Sequence, residues 1–424
     1  MPPVPGSLPV VGVLLALAVG AYAALMLRLA AAARQSRRRT AAPLADAELP
    51  EVAVLVAARN EEEHLPRCLE ALLAQDYPAG RLHIYVADDH STDATAEVVR
   101  RVQRRIAHRQ PAVAVTAWDE APVAERPRLR TSGDGLPDAG PTVHLVDVPD
   151  PVAHLVGKAN ALEAAVAASS ADFLLITDAD CAPPPGWARA MATHLAADGT
   201  GLVCGQTLVD AGLVGRDRDG GDRPLDLLQR LDWSFLVVAA AAFVEAGRPI
   251  TAMGNNMGVR RAAYEAVGGY RALPFSVTED YTLFRAVQTG TPYSVHFPLD
   301  PALLNRTAPL DSLPAVFRQR RRWARGGLKA RLFVYGVYGS TYAAHLATLV
   351  AFVLSPLLGL GLFAAKAGAD AALCRAGLPN GQRPPAGRFL AGFALFEAYF
   401  YAYLFLVPAL LALRPRIRWK GRKL

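Results

Sequence analysis

The sequence predicts an α/β fold, a mostly parallel sheet flanked by helices, joined to transmembrane helices, and three observations carry that expectation. Short β-rich runs alternate with helical segments from Glu51 to about Ala308, the pattern of a parallel sheet with crossover helices. One run, Phe173-Leu-Leu-Ile176, is wholly apolar, as a strand buried on both faces must be. Long uncharged stretches lie outside this region, and 52% hydrophobic residues in 424 is more than one soluble domain usually carries.

The elements follow in order. Leu8 to Leu27 is uncharged and about long enough to cross a bilayer, and Arg28 and Arg34-Gln-Ser-Arg-Arg-Arg39 follow it. Lys and Arg accumulate on the cytoplasmic side, so this reads as a span entering the cytoplasm: an anchor over residues 1–33 and a basic linker over 34–50. A cleaved signal peptide carries its basic end first, whereas Met1 to Pro9 has no Lys or Arg. Val52 to Val56 is the first strand, and Glu61 to Gln75, with Leu65, Leu69, Leu72 and Leu73 on one face, the first helix of the domain. Ile84 to Ala87 is the second strand, Thr95 to Ala107 a helix, Thr142 to Val148 the third strand, and Lys158 to Ala168 the helix leading into Phe173. Pro122 to Pro141 and Gly212 to Pro224, rich in Pro, Gly and charge, read as exposed loops.

Near the C-terminus, Tyr342 to Ala365 and Phe389 to Leu413 are each long enough to span. Gly377 to Pro385 would turn between them on the far face, leaving Arg414 to Lys423 as a cytoplasmic tail. The expected organisation is a cytoplasmic domain over 51–332, a two-span membrane region over 333–413 and a tail over 414–424, in a multi-pass inner-membrane protein. Glu397 inside a span needs a protein partner, because an intramembrane carboxylate is costly. The net charge of +7 gathers at Arg37 to Arg39, Arg318 to Arg325 and Arg414 to Lys423, beside apolar runs, which points to a membrane surface and not to nucleic acid. Four cysteines lie far apart without a Cys-x-x-Cys pair, which fits a reducing compartment.

In an open parallel sheet the ligand crevice lies beyond the carboxyl ends of the strands, so polar residues directly after strands carry most functional weight. Ala58-Arg59-Asn60-Glu61 opens a helix whose amides favour an anionic ligand; it also reads as a plain cap, with Asn60 capping and Glu61 facing the dipole. Asp88-Asp-His-Ser-Thr-Asp93 can present a carboxylate to the imide N–H of a uracil base, or simply cap. Asp178-Ala-Asp180, at the end of the buried strand, can hold a hard divalent cation, Mg or Mn, against two phosphates. Thr278-Glu-Asp280 offers a general base for an acceptor hydroxyl, or an acidic helix start. Gln319-Arg-Arg-Arg-Trp323 joins guanidinium forks to an indole, suited to a diphosphate and a sugar ring; an interfacial basic helix has the same composition.

Taken together these residues resemble the family 2 glycosyltransferases with a GT-A fold, in the membrane-bound branch of cellulose and hyaluronan synthases and ceramide glucosyltransferase. The resemblance covers about Val52 to Lys329 and rests on the order of four motifs: the Asp-Asp-x-Ser-Thr-Asp turn, Asp178-x-Asp180, Thr278-Glu-Asp280 and Gln319-x-x-Arg322-Trp323. It implies a nucleotide-sugar donor, a UDP-sugar, contacted by Arg59, Glu61, Asp88 or Asp89, Lys158, Asp178, Gln319, Arg322 and Trp323. It further implies a divalent metal on Asp178 and Asp180, Asp280 as base, and inversion at the anomeric carbon. Cellulose-type synthases use more membrane helices than these three expected spans, so single transfer to a lipid or lipid-linked acceptor is preferred over a processive polysaccharide synthase or a silent nucleotide-sugar sensor. Leu231 to Val244 is apolar but too short to span, and reads as an interfacial or a buried core helix. In such a fold Gly254-Asn-Asn256 would sit on the acceptor side.

Overall fold

The computed structural model describes residues 7–38, 41–107, 140–152, 154–215, 223–327, 332–413, 418–419 and 422–423. The loop expected over Pro122 to Pro141 lies almost wholly outside the described residues, and those over 212–224 and 414–423 lie partly outside them.

In chain order the elements are α1 (Ser7–Ser36), β1 (Val52–Ala58), α2 (Leu65–Leu73), β2 (Leu82–Asp88), α3 (Thr95–Ala107), β3 (Thr142–Asp147), α4 (Lys158–Ala167), β4 (Phe173–Asp178), α5 (Trp187–Ala196), β5 (Thr200–Cys204) and β6 (Thr207–Val209). There follow α6 (Pro224–Glu245), β7 (Asn256–Arg260), α7 (Arg261–Ala266), α8 (Gly269–Ala272), α9 (Glu279–Gly290), β8 (Ser294–His296), β9 (Asn305–Thr307), α10 (Leu313–Gly327), α11 (Leu332–Leu354), α12 (Pro356–Gly377) and α13 (Ala386–Leu413). The chain forms two compact units. A sheet unit comprises Arg39–Thr207 and Ala252–Ala308, and a helical unit comprises Met1–Arg38, Leu208–Thr251 and Pro309–Leu424.

The sheet unit is a seven-stranded sheet in the order β3-β2-β1-β4-β7-β5-β8. β1 runs parallel to β2 and β4, and β2 to β3, while β7 is antiparallel to both β4 and β5. Val52, Val54, Leu55 and Val56 are fully buried, as the apolar strands require, and Leu65, Leu69 and Leu72 of α2 pack in the same core as Val54 and Val56. Each such side chain contributes about 1.5–3 kcal/mol by leaving water. α2 begins at Leu65 rather than Glu61. Residues 62–64 form a turn that leads directly into it, and the Glu61 and Glu62 amides donate to Thr95 Oγ1 (2.8 Å) and Asp93 Oδ2 (3.1 Å).

The helical unit corrects three expectations. The run Tyr342 to Ala365 is two helices, broken at Ser355-Pro356. Proline has no N–H and disfavours helix at the residue before it, and Ser355 caps α12 by accepting from the Leu358 N–H (3.4 Å). Leu231 to Val244 is mostly buried, as the core-helix alternative expects, but it belongs to a longer helix, the 22-residue α6. The Gly377 to Pro385 turn lies at the Arg37 end of α1, because the Arg37 guanidinium donates to the carbonyls of Ala376 (2.9 Å) and Gly377 (2.6 Å). Among the described residues five helices, α1, α6, α11, α12 and α13, are long and apolar enough to cross a membrane. α11 and α12 meet so closely that a Cβ at Gly359 would lie 2.5 Å from the Phe352 ring.

Candidate active site

Strand register sets the site. Ala58 of β1 pairs with Asp88 of β2, Asp88 with Asp147 of β3, and Ala57 with Asp178 of β4, so the polar residues that end these strands lie along one edge of the sheet. The turns after β1 and β2 are stitched together. The Asn60 N–H donates to Ser91 Oγ (2.9 Å), the Thr92 N–H to Asn60 Oδ1 (2.8 Å), and the Ser91 N–H to Asp88 Oδ1 (3.1 Å). Asn60 and His90 have φ of 53° and 58°, a left-handed conformation that Asn and His tolerate better than most residues. Arg59 donates to the Asp89 carbonyl (2.7 Å) and lies 3.8 Å from its carboxylate. That carboxylate is buried, whereas Asp88 is half-buried at the strand end.

The second half of the site is built around one lysine. Gly157, at φ 62°, starts α4 and places Lys158 so that its ammonium lies 2.5 Å from Asp178 Oδ1, 3.0 Å from the Gly254 carbonyl and 3.6 Å from Glu279 Oε1. Burial works against this charge, but Asp178 and Glu279 hold it well above the ordinary lysine value. The Gly254 N–H donates to Asp280 Oδ2 (2.8 Å) and the Tyr281 N–H to Asp280 Oδ1 (2.8 Å), which fixes the carboxylate at the start of α9. Gly254 is required there: a Cβ would sit 2.7 Å from that of Asp280. Burial raises the Asp280 carboxyl above the usual aspartate range, against the opposing pull of Lys158 and the two amides. Asp180 follows Asp178 by one turn residue, and its carbonyl accepts from Arg67 (3.4 Å).

The structure therefore joins Lys158, Asp178 and Asp280 through Gly254, and sets Asp88 and Asp178 at the ends of strands separated only by β1. Sequence reasoning gave Glu279 no role, although the Thr-Glu-Asp triplet was the available signal, and it named Gly254 without its contacts to Lys158 and Asp280. Asn255 and Asn256 have their side chains turned into the protein. Both are buried: Asn256 donates to the carbonyls of Gln206 and Leu303 (2.7 Å each) and accepts from the Trp187 indole (2.8 Å), while Asn255 accepts from Thr207 (3.0 Å). They bind the strands together.

Gln319, Arg322 and Trp323 belong to α10 in the helical unit, where all three are half-buried. There the Arg320 guanidinium lies 4.1 Å above the Trp323 ring and donates to Gln319 Oε1 (2.9 Å).

A profile described as Glycosyl transferase family 21 matches residues 148–424, and one described as Glycosyl transferase family 2 matches residues 53–116. The chain belongs to glycosyl transferase family 21. The family 21 match contains Lys158, Asp178, Asp180, Asp280 and the Gln319 to Trp323 motif; the family 2 match contains the Arg59 and Asp88 turns. Among similar proteins, a "Probable glycosyltransferase YdaM" of Bacillus subtilis (strain 168) is 27% identical over 288 residues, 66% of this chain and 56% of that one. A "Beta-monoglucosyldiacylglycerol synthase" of Synechocystis sp. is 23% identical over 290 residues, 67% of this chain and 49% of that one. The family 21 chain thus spans about half the length of the curated relatives it matches. A mannosyltransferase from Pyrobaculum calidifontis, solved with GDP-Man and Mn2+, superposes with a TM-score of 0.53 at 20% identity, over 96% of this chain and 99% of that one. This shows a shared GT-A glycosyltransferase fold.

Proposed function

We propose that this family 21 chain moves a sugar, with inversion, from a UDP-sugar to a lipid or lipid-linked acceptor at the inner face of the cell membrane. The catalytic stretch of residues 51–332 would lie in the cytoplasm. The observation that carries the reading is the bridge from Asp178 through the Lys158 ammonium to Glu279, with Asp280 held on the same Gly254 backbone. An anionic diphosphate and a proton-donating hydroxyl need these opposite chemistries side by side. Lipid transfer draws support from the synthase of Synechocystis, and inner-face placement from the arginines that close α1.

Among the described residues no three His, Cys, Asp or Glu side chains form a metal cage. Two carboxylates are nonetheless the protein share expected of a cation whose other ligands are substrate oxygens, so Asp178 and Asp180 fit a Mg or Mn ion. That ion would neutralise the leaving diphosphate. Lys158 would pass from Asp178 to a donor phosphate oxygen, and Asp88 would accept from the uracil N–H, with Arg59 and Glu61 shaping the adjoining turn. Gln319, Arg322 and Trp323 would bind the diphosphate and the acceptor end. Asp280 would take the proton from the acceptor hydroxyl, opposite the leaving group, which produces inversion by a single in-line attack.

Single transfer is favoured over polymer extrusion because the centre of the helical unit is filled: Tyr22, His345, Lys366, Asp370 and Phe396 are each at most 1% exposed. Purified protein screened against nucleotide sugars, with and without Mg or Mn, should be thermally stabilised by one donor only when metal is present. Asp180→Ala should lose that response. Stabilisation by no nucleotide sugar in either metal would refute the reading.

A further inference from the structure

Arg320 is the one member of the Gln319 to Trp323 segment that is fully buried, although the motif reading gives it no role. Its Nε and Nη2 both donate to Asp232 Oδ2 of α6, the first at 2.7 Å. Its remaining nitrogen, Nη1, donates to Gln319 Oε1 (2.9 Å), and its planar face covers the Trp323 ring at 4.1 Å. Trp233, next to Asp232, closes the other contact of that indole edge-on, with centroids 5.3 Å apart and planes at 76°. Tyr399 of α13 adds a hydroxyl 3.4 Å from the same Asp232 oxygen and packs on Phe317 of α10. One guanidinium thus spends its hydrogen bonds and its π face on two motif side chains and on one carboxylate from another helix. A lysine has neither the fork nor the flat face to do so.

A buried ion pair is a weak source of stability, since desolvation offsets most of the attraction and apolar replacements are often as stable. Its geometry, by contrast, is specific. We infer that Asp232 is a positioning residue: through Arg320 it fixes the Trp323 indole and the Gln319 amide in the orientation in which they meet substrate. The inference rests on the transferase reading for its kinetic consequence but not for its geometry. Asp232 belongs to α6 and not to the motif, so its contribution is invisible in the local sequence.

The test uses the full chain in lipid nanodiscs. Asp232→Asn/Arg320→Met removes both charges, so it leaves no buried ion unpaired and should fold with a melting temperature near that of the parent. Its kcat should nonetheless fall about 10- to 100-fold and its donor affinity weaken, because Gln319 and Trp323 are the groups displaced and misplacement of a contact by an ångström has effects of that size. Trp323→Ala should lower kcat similarly, and adding Asp232→Asn/Arg320→Met to it should have little further effect. Asp232→Glu should recover part of the loss. Independently of any transfer, acrylamide quenching of Trp323, read as the difference between each protein and its Trp323→Phe counterpart, should rise in the Asp232→Asn/Arg320→Met variant. Unchanged quenching in a folded variant overturns the positioning role, as does a full multiplicative loss when the changes are combined. A parent protein that transfers no sugar, yet shows the quenching change, would sink the transferase reading and leave the positioning intact.

Discussion

Two lysines, each flanked by two carboxylates, sit in the two units under opposite conditions. Lys158 of the sheet unit, with Asp178 and Glu279, is open: their side chains are 17%, 36% and 16% exposed. Lys366 of the helical unit lies 3.0 Å from Asp370 and also pairs with Glu397, and these side chains are 0%, 0% and 5% exposed. The Tyr22 hydroxyl of α1 donates to Asp370 (2.6 Å), so the sealed cluster ties α1, α12 and α13 together. The same three charges make a site where a substrate can compete for them and a lock where nothing can. Exposure, not composition, separates the two.

The largest effect that sharpens this contrast belongs to the open site. Asp280→Asn keeps the shape of the side chain but has one accepting oxygen for the two N–H groups of Gly254 and Tyr281 and cannot take up a proton, so transfer should fall about 10²- to 10⁴-fold. Donor binding, measured by calorimetry, should stay largely intact. Equal loss of donor binding would mean that Asp280 holds the donor rather than the acceptor proton.

The sealed cluster should respond in stability instead. Lys366→Met strands two carboxylates in the helical unit, and removal of one partner from a buried pair typically costs about 3–5 kcal/mol. Lys366→Met/Asp370→Asn/Glu397→Gln should regain most of it in detergent unfolding curves. The matching change, Lys158→Met, leaves Asp178 and Glu279 with partial access to water and should cost less stability than Lys366→Met, while donor affinity drops. If Lys158→Met proved as destabilising as Lys366→Met, the two clusters would not differ in kind.

The two units were not equally legible. The ends of β2 and β4 follow from apolar runs closed by acids, which marks Asp88 and Asp178 by position, whereas Asp280 stands at a helix start and is singled out only by the family resemblance. The helical unit was read less well because hydropathy has no local marker for packing. A run of 24 apolar residues and a helix boundary at Ser355-Pro356 look alike until the proline is given its geometric weight. Glu397 announced a partner without naming it, since Lys366 lies 31 residues away on another helix. Glu279, Gly254 and Asp232 act through contacts between distant segments, which no spacing rule encodes.

The smallest expected effect is in pH. Burial raises the Asp280 carboxyl, so the folded sheet unit binds that proton more tightly than the unfolded chain does. As pH rises from the ordinary aspartate range through the raised value, ionisation of Asp280 should therefore lower stability slightly while it creates the base that transfer needs. Activity and stability should move in opposite directions across that window, and Asp280→Asn should abolish both trends. The open site permits this titration because Asp280 lies beside the partly exposed Lys158 and Glu279. A kcat/KM profile whose acid limb falls at the ordinary aspartate value, with a stability curve unchanged by Asp280→Asn, would assign the base to another group and leave Lys158 as the only distinctive charge at the rim.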